Sequence, residues 1–133
     1  MVKIRFIIIF VIVLINNSCL DRHFIDGRAE LISVSDTLLK DSSIVYGHIY
    51  HVDMEYWTYY RKNEFEIWIE NSNLKTTNDS AGNYFLKINP GTYTIKCQVA
   101  NNIWDRLIEE MKNIELQKNK KTQLNFFIGY TVE

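Results

Sequence analysis

A chain of 133 residues has room for one domain, and a first stretch unlike the rest leaves a folded part that is shorter still. Its 15 basic residues face 16 acidic ones, and losing Lys3 and Arg5 with the leader leaves 13 against 16, a balance too even to steer nucleic acid or an anionic surface. Apolar residues make up 47% of the sequence and there is a single proline, which argues against disorder in the body of the protein.

Lys3 and Arg5 precede an unbroken apolar run over residues 6–15. That run is too short for a hydrocarbon core that needs about 20 residues, so residues 1–18 are expected to be an export signal rather than a membrane span. It ends in Asn16, Asn17, Ser18 and Cys19. This arrangement resembles the lipoprotein signal of bacteria, in which a small residue precedes a cysteine that is acylated and becomes the new N-terminus. Ser18 matches the small residue. Asn16 stands where leucine is usual, which leaves a looser, Bacteroidota-like variant or an ordinary signal peptide cut nearby. The resemblance implies an exported lipoprotein anchored through Cys19 at the cell envelope, with the outer membrane as the expected location. Each buried methylene contributes about 0.8 kcal/mol, so several acyl chains hold a soluble domain on a bilayer without a spanning helix.

With Cys19 lipidated, Cys97 has no partner. It falls in the alternating series Tyr93, Ile95, Cys97, Val99 and is expected on the inward face of a strand, behaving as a small hydrophobe.

Residues 19–43 are polar and weakly patterned, and they read as a tether, with a short strand over residues 29–34 that docks on the domain edge. The domain is expected over residues 44–133. Residues 44–52 are rich in β-branched and aromatic side chains and carry Gly47, where a strand bulges or is closely approached. Phe65, Ile67 and Ile69 alternate with Glu64, Glu66, Trp68 and Glu70, a period of two that puts the first set in a core and three carboxylates in water. A short strand over 74–77 leads into Asn78, Asp79, Ser80, Ala81, Gly82 and Asn83, a turn cluster. Tyr84, Leu86 and Ile88 form the next inward set, and Pro90 and Gly91 end that pairing. The following strand runs over 92–99, and two more are expected over 114–117 and 124–129. Residues 101–112 carry Ile103, Trp104, Leu107, Ile108 and Met111 at helical spacing, yet they bridge two strands, so a short helix and an extended crossing both remain open. Short strands at intervals of about ten residues indicate an all-β sandwich or barrel.

Thr77-Asn78-Asp79-Ser80-Ala81-Gly82-Asn83-Tyr84-Phe85-Leu86, followed by Pro90-Gly91-Thr92-Tyr93-Thr94-Ile95, resembles the signature of carboxypeptidase regulatory-like domains. Asp79, Gly82, Tyr84, Pro90, Gly91 and Tyr93 stand in the motif positions. The resemblance implies a seven-stranded Greek-key sandwich of transthyretin type, and an accessory rather than catalytic role. The chain departs from that pattern before the second strand, where a small-residue step is missing, and over 101–112, which is long.

Chemistry-bearing patterns are sparse. His51, Asp53 and Glu55 lie at i, i+2 and i+4, on one face of a strand, but no fourth ligand accompanies them and a polar strand end facing water is the simpler reading. There is no nucleophile elbow, no phosphate loop and no paired-cysteine metal motif, so neither enzyme nor cofactor is expected. The most unusual segment is Met54-Glu55-Tyr56-Trp57-Thr58-Tyr59-Tyr60-Arg61-Lys62. Tyr56, Trp57, Tyr59 and Tyr60 are the candidate surface for a protein or glycan partner, set against rings that merely cover one end of the sandwich. The sequence therefore points to a lipid-anchored binding or assembly module, with a carbohydrate-binding accessory lipoprotein for glycan uptake as the alternative.

Overall fold

The computed structural model describes residues 23–38, 40–51, 60–100 and 107–132. The leader, Cys19, Tyr56, Trp57 and Tyr59 lie outside the described residues, as do Asp53 and Glu55 of the metal reading and residues 101–106 of the helical stripe.

Ten strands follow one another: β1 (His23–Ile25), β2 (Arg28–Asp36), β3 (Ser43–His51), β4 (Phe65–Ile69), β5 (Lys75–Thr77), β6 (Asn83–Ile88), β7 (Gly91–Val99), β8 (Glu109–Leu116), β9 (Lys120–Ile128) and β10 (Tyr130–Val132). There is no helix among the described residues. Two four-stranded sheets, ordered β2-β9-β3-β6 and β5-β4-β7-β8, stack as a sandwich, and β1 pairs with β10 in a separate ribbon. Neighbours are antiparallel except β3 and β9, which run parallel. The all-β sandwich expected from sequence is present, but with eight strands in its two sheets rather than seven.

The difference arises mainly at the N-terminal side. Much of the expected tether belongs to the sandwich: β2 pairs along its length with β9, with a bulge at Ile32. It reads as a tether because it is an edge strand with one neighbour, and all but two of its nine residues are exposed. At the other end of the chain, the expected strand over 114–117 begins at Glu109, so Met111 lies in a strand rather than on a helix.

The core follows the alternation. Val45 and Ile49 from β3, Phe65, Ile67 and Ile69 from β4, Ile95 and Cys97 from β7, and Leu124, Phe126 and Ile128 from β9 are essentially without solvent contact. Fully burying one such side chain contributes about 1.5–3 kcal/mol, so these inner rows dominate the stability of the fold.

Two of the connections that carry the chain from one sheet to the other hold the motif residues. Between β5 and β6 the Asp79 carboxylate accepts from the backbone N–H groups of Ala81 and Asn83, each at 2.9 Å, and Gly82 adopts φ of 81°. A Cβ at Gly82 would press on the rings of His48 and Tyr60 at 2.9 Å. Asn78 is buried, accepts from the Phe65 N–H at 2.7 Å and donates to the carbonyls of Arg61 and Asp79. Between β6 and β7, after Pro90 and Gly91, the Tyr93 hydroxyl donates to the carbonyl of Asn89 at 2.7 Å, pinning the corner in the manner of a tyrosine corner. Tyr93 is only partly buried, whereas Tyr84 is 4% exposed.

Gly47 and Tyr84 act together at the centre of the first sheet. The parallel register of β3 with β9 pairs residues 44–46 with 121–123 and 49–51 with 126–128, and skips the positions between. There a Cβ on Gly47 would fall on the carbonyl of Leu124. The Tyr84 hydroxyl donates to that same carbonyl, and the His48 N–H donates to the Asn125 side chain at 2.9 Å. Side chains thus complete hydrogen bonding where the ladder lapses, as buried polar groups require.

Candidate functional site: two outer faces

The outward positions of the first sheet gather rings. Arg28 on β2 lies opposite Phe127 on β9, which lies opposite Tyr50 on β3. The Arg28 guanidinium sits 3.7 Å from the centre of the Phe127 ring, and Phe127 stacks on Tyr50 at 4.8 Å with 14° between planes. Tyr50 leans on His48 at 4.4 Å. The His48 ring contacts Asn83 through Nδ1 at 2.8 Å and the Tyr60 hydroxyl through Nε2 at 3.3 Å. One row further along, Tyr46 lies opposite Phe85, which is 56% exposed, and the Lys121 ammonium stands 5.8 Å from the Tyr46 ring centre. This face is rich in rings and edged by cations, the composition found at the cores of protein interfaces.

The outward positions of the second sheet gather charges that satisfy one another. Lys96 sits 3.0 Å from Glu70 and 3.8 Å from Glu110; Lys112 is 3.2 Å from Glu110, and Lys75 is 3.9 Å from Glu66. Glu70 leads the causes that raise the Lys96 pKa above its ordinary value, by accepting a hydrogen bond from the ammonium. Among the described strand residues, Trp68 is the aromatic side chain on this face.

Of the four aromatic residues expected to form a binding surface, Tyr60 is the one whose surroundings are described, and it faces inward. Its ring is 4% exposed, lies against His51 and Phe65, and has its hydroxyl pKa raised by burial first and by Tyr50 and Glu64 after it. Tyr60 therefore offers a partner no free ring face and closes one end of the core. His51 is buried against Phe65 and Tyr60 rather than facing water, and no group of three metal-ligating side chains occurs among the described residues. Asp79, Gly82, Tyr84, Pro90, Gly91 and Tyr93 build the two corners and the centre of the first sheet. Cys97 has no solvent contact, and burial holds its thiol pKa well above the ordinary value, so it stays protonated and unreactive.

Glu109 is a buried carboxylate that the sequence did not mark. It accepts from the N–H of Gly129, at 3.2 Å, and from that of Gly27. Gly27 joins β1 to β2 and Gly129 joins β9 to β10, so one side chain from the second sheet fastens both strands of the terminal ribbon to the first. A Cβ at Gly27 would collide with this carboxylate. Burial raises the Glu109 pKa most, the two backbone N–H groups oppose that rise, and Asp26 adds to it.

No family model and no curated protein matches this chain. Two solved structures are similar to it, both type II cohesin–X–dockerin complexes from Acetivibrio cellulolyticus, one a C-terminal and one an N-terminal interface mutant. Each matches at a TM-score of 0.45 and 22% identity over 61% of this chain, which spans about half of the matched chain, 51%.

Sequence reasoning missed the surface formed by Arg28, Tyr46, His48, Tyr50 and Phe127. The available signal was the run Tyr46, His48, Tyr50 at every second position of β3, all aromatic and all outward once Val45 and Ile49 are inward.

Proposed function

We propose that the chain is a non-enzymatic binding or assembly module, held at the bacterial cell envelope by lipid on Cys19, that engages a protein partner through the outer face of its first sheet. The observation that carries this reading is the stack Arg28, Phe127, Tyr50 and His48. Rings already ordered by stacking cost little conformational entropy on binding, and the ring area left in water offers roughly 25 cal/mol per Å² to whatever covers it. Arg28 already faces Glu30 at 3.4 Å, and Lys121 and Lys87 on the same face favour a partner with carboxylates around an apolar centre. The two corner motifs support kinship with carboxypeptidase regulatory-like domains, in which the sandwich is an accessory unit.

A photocrosslinking residue placed at Tyr50, with a second placement at Thr94 on the other sheet, tests the surface in intact envelopes. Protein adducts at position 50 and none at 94, competed by purified wild-type protein, are expected; equal labelling at both positions defeats the proposal. The anchor is tested separately by Cys19→Ala, which should release the protein from membranes and abolish incorporation of labelled fatty acid.

A further inference from the structure

The second sheet carries a smaller feature of different chemistry. Where β4 turns into β5, Glu66, Trp68, Ser72, Asn73, Leu74 and Lys75 line an open groove of about 290 Å³. Its walls are set before any ligand arrives. The Ile69 N–H donates to the Leu74 carbonyl at 3.0 Å, the Leu74 N–H donates to the Ser72 hydroxyl at 3.1 Å, and Asn71 turns the chain at φ of 59°. Trp68 pairs across the sheet with Lys75 on one side and Lys96 on the other, so its half-buried indole is framed by the ion pairs Lys75–Glu66 and Lys96–Glu70.

The geometry points to a subsite for a single sugar ring within an oligosaccharide, stacked on Trp68. A pyranose has an apolar face of C–H groups that suits an indole, and a rim of hydroxyls that each donate and accept. The groove supplies both kinds of partner side by side: a carboxylate on Glu66, an ammonium on Lys75, an amide on Asn73 and a hydroxyl on Ser72. A phosphate group is disfavoured, because Lys75 and Lys96 already face carboxylates. Six residues present far less than the roughly 800 Å² per partner of a stable protein interface. A volume just below the roughly 300–1,000 Å³ typical of ligand sites suits a single ring, and an open groove lets a chain continue past both ends. The subsite does not depend on the first-sheet surface, since it lies on the opposite outer face.

The test follows the indole N–H resonances of Trp57, Trp68 and Trp104 in the ¹⁵N-labelled full chain, assigned with Trp68→Phe, during titration with soluble hexamers of glucose, mannose and N-acetylglucosamine. The expected result is a saturable shift of the Trp68 signal with at least one hexamer at millimolar concentration or below. Affinity measured by calorimetry with the same hexamer should weaken at least tenfold in Trp68→Ala and in the surface double variant Glu66→Gln/Asn73→Ala, which keeps the indole in place. Phe127→Ala should leave the titration unchanged, so failure here and failure of the protein-binding surface are read separately. No shift with any hexamer, a response confined to Trp57 or Trp104, or undiminished affinity in the double variant would overturn the assignment.

Discussion

The two outer faces of this sandwich are built by the same rule and come out as opposites. In both sheets every second residue points away from the core. On the first those positions include Tyr46, His48, Tyr50, Phe85 and Phe127 beside Lys87, Lys121 and Gln123, while on the second they include Glu66, Glu70, Lys96 and Glu110 around a single described indole. The second face is closed chemically, since each Lys there has a carboxylate within 4 Å and water solvates the remainder. Exposed pairs of this kind contribute little to stability, so their value lies in solubility. The first face retains ring area in water, most of all at Phe85, which is 56% exposed. Burial pattern alone does not distinguish a surface meant for water from one meant for a partner; the side chains on the outward row do.

The largest expected effect breaks the first face while sparing the second. Gly47→Ala puts a methyl group on the Leu124 carbonyl in the parallel β3–β9 pair, and should cost about 3 kcal/mol in urea unfolding. Unfolding no easier than wild type would mean that the two strands can separate there without loss.

Glu109 joins what the faces keep apart, and its substitution comes next. Glu109→Ala strands the N–H groups of Gly27 and Gly129 and should cost about 2 kcal/mol, while Glu109→Gln keeps an acceptor and should remain close to wild type. The sign with pH is set by the raised pKa. A carboxyl whose folded pKa lies above its ordinary value of 4.5 contributes stability that is fully present below that value and is lost as pH rises through the folded one. Thermal melts across pH 4 to 8 should therefore show a decline in the wild type that is reduced in Glu109→Gln. Identical profiles would remove Glu109 as the titrating group.

Phe127→Ala is expected to cost binding more than stability. It removes the stack on Tyr50 and the seat of Arg28, at a stability cost of about 1 kcal/mol, yet it should abolish the crosslink at position 50. The smallest effect is expected from Lys96→Met on the opposite face, where melting should shift little and become less sensitive to salt.

Much of the sandwich is legible in the residues themselves, because β4, β6 and β7 alternate without interruption and the corners at Asp79–Gly82 and Pro90–Gly91 use side chains whose local geometry is fixed. Gly47 announces a close approach, but not that Leu124 makes it. Asn78 gives no sign of its part, since its three hydrogen bonds depend on where β4 happens to begin. The aromatic face was hidden for the same reason. Alternation gives the direction of Tyr50 and of Phe127 separately, and nothing local says that strands 77 positions apart run side by side in parallel. The aromatic run over residues 54–62 drew attention instead, and its described member, Tyr60, closes the core.

Hydroxyl-radical footprinting of the protein in intact envelopes, compared with the same protein purified, reads directly whether a partner covers the first sheet. Oxidation of Tyr46, Tyr50, Phe85 and Phe127 should fall several-fold in the envelope while Lys112 and Glu115 are labelled equally in both. Rings oxidised as readily in the envelope as in isolation would show that nothing covers the first sheet there, and that it is not a binding face.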